Sequence, residues 1–178
     1  MELPERIETS RLVLRPFRWS DADAVFDYAS DAEYARYQSG PEDFTRTASD
    51  RFLAELILRD PQLRPAWAAT LADRVVGIVA LTFESGHRVA VLGYGLHRKL
   101  WGQGLAAEAV RAVLAAAFAG CPPLQRLRAH TDARNHRSTA LLLKLGFTHE
   151  GTLRRNQFAR GELVDEAIFG LLREGWAG

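Results

Sequence analysis

The sequence predicts an α+β protein in which about four helices flank one mixed, mostly antiparallel sheet of about seven strands. Strand-like apolar segments follow one another directly in the middle and again at the end of the chain. A run of helix-forming residues from Leu105 to Phe118 separates these groups of strands, and shorter helical segments precede and follow them. The resulting order β-α-α-β-β-β-α-β-α-β-β is typical of helices packed over one sheet. A length of 178 residues, 47% of them hydrophobic, suits one domain spanning residues 1–178.

The first third of the chain is predicted to contain one strand and two helices. A strand is predicted over Thr9–Phe17, because Leu12 and Leu14 share one of its faces. The elements after it are a helix from Ser20 or Asp21 to about Ala29, a polar loop or short helix over Asp31–Pro41, and a helix over Thr45–Arg59.

Strands dominate the rest of the sequence. Ala66–Leu71 and Val75–Phe83 are predicted strands, and the three residues between them favour a hairpin. Val89–Leu96 is a further strand, interrupted by Gly93 and Gly95. The elements after the long helix are a strand over Leu124–Thr131, a helix over Ser138–Leu145, a strand from Phe147 toward Phe158 and a strand over Leu163–Leu172.

Composition argues against several classes of protein. Lys and Arg number 23 against 22 Asp and Glu, so the net charge of +1 gives no support for a nucleic-acid or membrane-surface partner. No apolar run reaches the roughly 18 residues that a spanning helix requires. The polar N-terminus predicts no signal peptide, and the single Cys121 excludes an internal disulfide, so we expect a cytoplasmic protein. The five histidines lack metal-ligand spacing, and no metal is expected.

The most informative stretch combines a strand, a glycine turn and a helix. Gly93 and Gly95 weaken the strand and indicate a bulge or a close approach by a ligand. Gly102 and Gly104 then permit backbone angles that a side chain would disfavour, and the long helix begins at Leu105. The first backbone N–H groups of a helix lack intrahelical partners and lie at the positive end of its dipole. The turn therefore predicts an anion site, best suited to phosphate.

Three families place glycines in this way. A P-loop requires Gly-Lys-Ser/Thr, which the Leu105 after Gly104 excludes. The dinucleotide pattern G-x-G-x-x-G/A is matched by Gly102, Gly104 and Ala107, which leaves a nucleotide-dependent oxidoreductase as an alternative. The third pattern is Q/R-x-x-G-x-G/A, which Lys99-Leu100-Trp101-Gly102-Gln103-Gly104 matches in all but its first residue.

Together with Gly93-Tyr94-Gly95, Glu108-Ala109 and the N-terminal Arg11-Leu12-Val13-Leu14-Arg15-Pro16, this turn resembles the GNAT superfamily of N-acetyltransferases, in its RimJ/RimL-type branch. The resemblance covers nearly the whole chain and is strongest from Gly93 to Gly151. It implies a GNAT-like sheet with a splayed central strand pair. It also implies an acyltransferase that moves acetyl from acetyl-CoA to a primary amine by direct attack in a ternary complex. The acceptor would be a protein N-terminal α-amine or a small-molecule amine, and the chain a monomer or homodimer.

The resemblance also assigns the site residues. Backbone N–H groups of Tyr94, Gly95 and Leu96 would stabilise the oxyanion, and Ser138 would protonate or stabilise the leaving thiolate. Asn135 would hold the pantetheine chain, although Asn135 and Ser138 also suit a simple helix cap. The predicted cofactor-binding residues are Leu96, His97, Lys99, Leu100, Trp101, Gly102, Gln103, Gly104, Leu105, Ala106, Asn135, Arg137 and Ser138. The predicted acceptor wall consists of Tyr34, Tyr37 and Gln38.

A general base is missing from the positions where the resemblance would place it. Relatives often have Glu before the Gly-Tyr of the splayed strand or before the Phe of the following hairpin, where this chain has Val91 and Gln157. Neither side chain can accept a proton from an ammonium. The remaining carboxylate candidates, each more typical of a solvated surface, are Glu84, Asp43 and Asp165. This departure leaves a second alternative, a non-catalytic module that binds acyl-CoA.

Overall fold

One eight-stranded sheet forms the centre of the protein, in the order β1-β2-β3-β4-β5-β6-β8-β7. The computed structural model describes residues 1–38, 44–176 and 178. The strands are β1 (Ile7–Glu8), β2 (Val13–Arg15), β3 (Ala66–Leu71), β4 (Arg74–Glu84), β5 (Val89–Leu96), β6 (Arg126–Asp132), β7 (Thr148–Ala159) and β8 (Glu162–Leu172). The helices are α1 (Ala22–Ala29), α2 (Ala32–Ala35), α3 (Arg46–Leu58), α4 (Leu105–Gly120) and α5 (His136–Lys144). The mixed sheet confirms the predicted α+β class.

The predicted strand over Thr9–Phe17 is shorter in the structure, because a tight turn occupies its first residues and β2 begins at Val13. Thr9 N donates to the Leu12 carbonyl at 2.9 Å, and Leu12 N donates to Thr9 Oγ1 at 2.9 Å. The short strands β1 and β2 stand on either side of that turn and pair antiparallel. The additional strand β1 raises the strand count from the predicted seven to eight. The predicted apolar face is present, because Leu12 and Leu14 are both buried in the same cluster.

Helices cover both faces of the sheet and bury separate clusters of apolar side chains. Along β4, Val79 and Leu81 pack into the cluster under α4, whereas Ile78 packs into the cluster under α1 and α3. Each fully buried aliphatic side chain of this kind contributes about 1.5–3 kcal/mol relative to exposure. Within the described part of the chain, no helix is long and apolar enough to cross a membrane.

The parallel strands β5 and β6 separate halfway along their length. Their pairing runs from Val89 opposite Arg126 to Leu92 opposite Ala129. Beyond Leu92, β5 continues to Leu96 with β4 as its partner, and β6 continues to Asp132 with β8 as its partner. This arrangement confirms the predicted splayed pair. Backbone groups on the diverging edges are thereby left available in the gap.

Candidate active site

A cavity of about 780 Å³ opens at the gap between β5 and β6. Its volume lies within the range of small-molecule and cofactor sites, roughly 300–1,000 Å³. The end of β5, the glycine turn, the start of α4, the start of α5 and the α2 segment all contribute to its wall. The predicted site residues that line it are Tyr34, Tyr37, Gln38, Tyr94, Gly95, Leu96, Leu100, Trp101, Gly102, Gly104, Leu105, Ala106, Asn135, Arg137 and Ser138.

Three predicted cofactor contacts lie outside the described cavity lining. His97 Nδ1 accepts a hydrogen bond from Lys99 N at 3.1 Å, and Gln103 Nε2 donates to the Lys99 carbonyl at 3.2 Å. These bonds fold the single 3-10 turn Arg98–Leu100 that joins β5 to the glycine turn. Contact of His97, Lys99 and Gln103 with a cofactor stays a prediction, and their observed bonds shape the turn itself.

The glycine turn has the left-handed geometry that its sequence predicts. Gly102 and Gly104 both have φ near +78°, and Gly104 is the N-cap residue of α4. The first intrahelical bond runs from Glu108 N to the Gly104 carbonyl at 3.0 Å. The N–H groups of Leu105 and Ala106 precede that bond and lie at the cavity wall. This helix start is therefore arranged to bind an anionic group such as phosphate.

A side-chain pair that the sequence analysis did not identify fixes this turn to the N-terminal segment. Arg11 donates to Glu108 Oε2 through Nε at 2.7 Å and through Nη2 at 2.6 Å, and its Nη1 reaches the Gln103 carbonyl at 2.9 Å. Glu108 Oε1 also accepts from Thr9 Oγ1 at 2.6 Å and from Ser10 Oγ at 3.0 Å. Burial opposes ionisation of Glu108, but these hydrogen bonds outweigh it and lower its pKa to about 2. Both residues belong to motifs of the resemblance, but nothing in the sequence pairs them.

A pair of hydroxyl groups lies at the gap. Tyr94 on β5 and Ser138 on α5 have their side-chain oxygens 2.7 Å apart, and either group can donate. Burial raises the pKa of Tyr94 to about 12, and the hydrogen bond with Ser138 only partly offsets that effect. The Tyr94 hydroxyl therefore keeps its proton at neutral pH. Together the two groups present a proton donor to the cavity.

Asn135 serves as the N-cap of α5, as the cap interpretation predicts. Its Oδ1 accepts a hydrogen bond from Ser138 N at 3.1 Å. Among the described residues, its amide nitrogen has no hydrogen-bond partner, and the residue lines the cavity. The cap therefore holds Ser138 in place while leaving one donor of Asn135 for a ligand.

The basic side chains of Arg134 and Arg137, near the start of α5, are only partly available to a ligand. The Arg137 guanidinium lies 4.9 Å from the centre of the Trp101 ring, whose Nε1 donates to the Leu96 carbonyl at 2.7 Å. Arg134 is instead paired with Asp132 at 2.7 Å and with Glu162 at 2.9 Å. Arg137 is thus a stacked cation beside the glycine turn, whereas the charge of Arg134 is neutralised by carboxylates.

The predicted acceptor wall is tied to the loop after β5 by one carboxylate. Asp31 Oδ1 caps α2 by accepting from Glu33 N and Tyr34 N, each at 3.0 Å. Its other oxygen accepts from Arg98 Nε at 2.8 Å. The Tyr34 hydroxyl fills the space beside Gly95, where an added Cβ would lie 2.2 Å from that oxygen. The glycine therefore permits close contact between α2 and β5.

Glu84 and Asp165, two of the carboxylates considered from the sequence, do not belong to the described cavity lining. Glu84 pairs with Arg128, and Asp165 Oδ1 accepts from Arg155 N at 2.9 Å. Asp43 lies outside the described residues. Within the part of the chain that the structure describes, the carboxylate that lines the cavity is Glu33 of α2, which the sequence patterns did not indicate.

The strand directions in the sheet exclude the dinucleotide-binding fold of the oxidoreductase alternative. Such a fold requires parallel strands with a helix after each one. Among the described strands, β5 and β6 form the one parallel pair.

Comparison with known proteins places the chain in a family. Residues 11–148 match the model of the acetyltransferase (GNAT) domain. A Bacillus licheniformis protein named uncharacterized N-acetyltransferase p20 is 33% identical over 181 residues, which cover 98% of this chain and 99% of that protein. A GNAT-family acetyltransferase structure from Bacillus anthracis has 26% identity and a TM-score of 0.83, covering 95% of this chain and 99% of the other.

A more distant structure shows the same fold. Mycobacterium smegmatis RimJ in complex with CoA-disulfide has a TM-score of 0.86 at 22% identity, covering 98% of this chain and 90% of that one. The family match spans well over half of the chain, and it agrees with the splayed strands and the glycine turn. The protein is an acyltransferase that belongs to the GNAT family of acetyltransferases.

Proposed function

We propose that this protein transfers the acetyl group of acetyl-CoA to a primary amine by direct attack in a ternary complex. The observation that carries the proposal is the gap between β5 and β6, which has the anion-binding turn at one end and the Tyr94–Ser138 hydroxyl pair at its side. An elongated ligand with phosphates at one end and a thioester at the other fits that arrangement of groups.

In this proposal, the start of α4 holds the pyrophosphate through its free N–H groups. Arg137 adds a cation beside them, fixed over the Trp101 ring. The pantetheine arm then lies in the gap, where its amides pair with strand backbone as an added strand would. The amide nitrogen of Asn135, which has no hydrogen-bond partner among the described residues, would donate to the same arm.

The transfer requires few groups from the protein. The amine nitrogen attacks the thioester carbonyl carbon, and a backbone N–H among Tyr94, Gly95 and Leu96 stabilises the oxyanion. The C–S bond then breaks, and Ser138 supplies a proton to the thiolate. Tyr94 can return a proton to Ser138 because their oxygens are 2.7 Å apart. Holding both substrates in one cavity contributes much of the remaining rate enhancement.

We propose a protein N-terminal α-amine or a small-molecule amine as the acceptor. A thiol-release assay with acetyl-CoA, a panel of small amines and N-terminal peptides of ribosomal proteins tests this. Transfer is supported by amine-dependent thiol release and an acetylated product detected by mass spectrometry. Binding of acetyl-CoA without release for any acceptor would instead support the non-catalytic module. We also propose the cytoplasm as the compartment, because a chain with one cysteine has no internal disulfide and suits a reducing environment.

A further inference from the structure

The charged side chains that line the cavity are unequally divided between its walls. Arg134 and, on α5, His136, Arg137 and Lys144 supply basic groups, and Arg137 stacks on Trp101 beside the glycine turn. Glu33 lies on α2, next to Tyr34. Among the described residues that line the cavity, Glu33 is the sole carboxylate. Within the described lining, Glu33 is therefore the group that favours a cation.

The backbone around Glu33 holds its side chain toward the cavity. Glu33 and Tyr37 are four residues apart and Tyr34 and Tyr37 three apart, so the three side chains share a face of α2 and its following turn. The Asp31 cap and the contact between Tyr34 and Gly95 fix that face against β5. Glu33 is thus held on the cavity wall by its neighbours.

The carboxylate of Glu33 is weakly engaged by the protein. Its ion pair, with Arg36, is long at 3.5 Å, and its side chain is 42% exposed. Among the described residues, the charged groups near it include Asp31, the N-cap of its helix, and Arg98 from the loop after β5, and Arg134 lines the same cavity. Arg98 and Arg134 already have closer carboxylate partners, at 2.8 and 2.7 Å. Glu33 is therefore available to a cationic ligand.

We propose that Glu33 binds the ammonium group of the acceptor and acts as the general base, so that the substrate class is a primary amine that arrives protonated. This inference rests on the proposed acetyl transfer. The ammonium gives one proton to the Glu33 carboxylate, and the neutral nitrogen forms the C–N bond. As the C–S bond breaks, the thiolate takes a proton from Ser138, and the second proton on the nitrogen restores the Ser138 hydroxyl. Glu33 then releases the proton that it took from the ammonium. The balance is one amide, one thiol and one proton released to solvent.

A rival base lies nearby on β6. His130 Nδ1 is 3.1 Å from Glu166 Oε1, and Asn156 Nδ2 donates to the other oxygen of Glu166 at 2.6 Å. A histidine oriented by a carboxylate is a common general base. The described cavity lining includes Thr131, the residue after His130, but not His130 itself. Position relative to the cavity therefore favours Glu33.

The experiment compares Glu33→Gln with wild type on a matched pair of acceptors. One is the best alkylamine from the thiol-release panel, which is protonated at pH 7.5. The other is its fluorinated counterpart, which is neutral at that pH. With the protonated amine, we expect kcat/KM for the amine to fall by about 10²-fold, within the usual range for a general base. With the neutral amine we expect a loss of less than about threefold, since the proton has already left.

Controls separate this role from folding and from the rival. Glu33→Gln should bind acetyl-CoA with wild-type affinity in calorimetry, and Glu33→Asp should recover part of the activity. Glu166→Gln should leave the rate with both amines near wild type. If Glu33→Gln lowers kcat/KM equally with both amines, the assignment of Glu33 is overturned. It is also overturned if Glu166→Gln, and not Glu33→Gln, lowers kcat/KM with the protonated amine. Failure of the wild type to acetylate any amine would instead refute the proposed function.

Discussion

Arg11 and Glu108 are 97 residues apart in the sequence and form a two-point ion pair, with Nε and Nη2 of the arginine on one carboxylate oxygen. Their contact joins the segment before β2 to the first turn of α4. The same arginine donates to the Gln103 carbonyl at 2.9 Å, inside the glycine turn. The pair therefore fixes the first N–H groups of α4, the proposed anion site, relative to the segment before β2.

Glu108→Gln should weaken that arrangement and raise the KM for acetyl-CoA several-fold with a smaller change in kcat. The glutamine keeps one acceptor oxygen, but its amide hydrogens face the hydrogens of the Arg11 guanidinium. Loss of charge-assisted hydrogen bonds of this kind costs about 2 kcal/mol of stability. Steady-state kinetics and chemical denaturation measure both effects. Glu8→Gln, in the exposed pair with Arg6, is the matched control and should change neither, because surface pairs contribute little. An unchanged KM would contradict the role of the pair.

The same pair predicts the acid stability of the protein. The pKa of Glu108 is lowered from 4.5 to about 2, so its contribution is fully present above pH 4.5. That contribution is lost as pH falls toward 2, because the carboxyl becomes protonated. Glu108→Gln should therefore flatten the decline in the free energy of unfolding between pH 4.5 and 2. A decline as steep in the variant as in wild type would show that other carboxylates govern this range.

Ser138→Ala should lower kcat and leave acetyl-CoA binding nearly intact. A hydrogen bond that strengthens only as charge develops on sulfur acts in the transition state. The expected decrease lies within or below the 10²–10⁴-fold range of general-acid effects. Tyr94→Phe should produce a smaller decrease, because the Ser138 hydroxyl would remain in place.

Asn135→Ala provides the contrast, since its amide would hold the cofactor in both ground and transition states. It should raise the KM for acetyl-CoA more than it lowers kcat. Initial rates at varied acetyl-CoA with a saturating acceptor distinguish the two patterns. A normal kcat in Ser138→Ala would leave Ser138 as part of the helix cap alone.

Gly104→Val should abolish acetyl-CoA binding while the fold survives. An added Cβ at Gly104 meets only Arg11 Nη2, at an ordinary 3.5 Å, so the protein has room for it. The φ of +78° nevertheless strains a β-branched residue, and the side chain would stand where the phosphates approach. Gly86→Val is the matched control, because Gly86 has φ +63° in the turn between β4 and β5, away from the cavity. Calorimetry showing equal affinity in both variants would mean that the phosphate site has been misplaced.

Arg98→Ala should affect the acceptor more than the cofactor. The Arg98 side chain holds the pKa of Asp31 below its usual value through their hydrogen bond, and the same carboxylate caps α2. Without Arg98, the α2 segment loses its tie to the loop after β5, and the acceptor wall becomes less well positioned. We expect the KM for the amine to rise at least threefold while the KM for acetyl-CoA changes less. A rise confined to acetyl-CoA would place Arg98 on the cofactor instead.

The sequence predicted the local features of the site well. Glycine spacing and the helix start at Leu105 depend on neighbouring residues, and both the turn geometry and the start of α4 agree with the prediction. The divergence of two central strands was predicted from the family resemblance. In the structure, β5 stops pairing with β6 after Leu92, which agrees with that prediction.

Contacts between distant segments were not predictable in the same way. Glu108 and Arg11 carry no pattern that identifies them as partners, and Glu33 lies in a four-residue helix whose position depends on Asp31 and Arg98. The first residues of the strand predicted over Thr9–Phe17 were mispredicted for a local reason, because the Thr9 hydroxyl bonds to the backbone of Leu12 and closes a turn that alternation does not reveal. Side-chain hydrogen bonds of this type compete with strand formation.

A crystal structure of the protein with a non-hydrolysable acetyl-CoA analogue tests the proposed cofactor site most directly. We expect pyrophosphate oxygens within hydrogen-bond distance of the N–H groups of Leu105 and Ala106. We also expect the pantetheine arm between β5 and β6, with the sulfur position within reach of Ser138 Oγ. A complex in which the pyrophosphate lies away from the start of α4, or in which the arm avoids the gap, would contradict the proposed site.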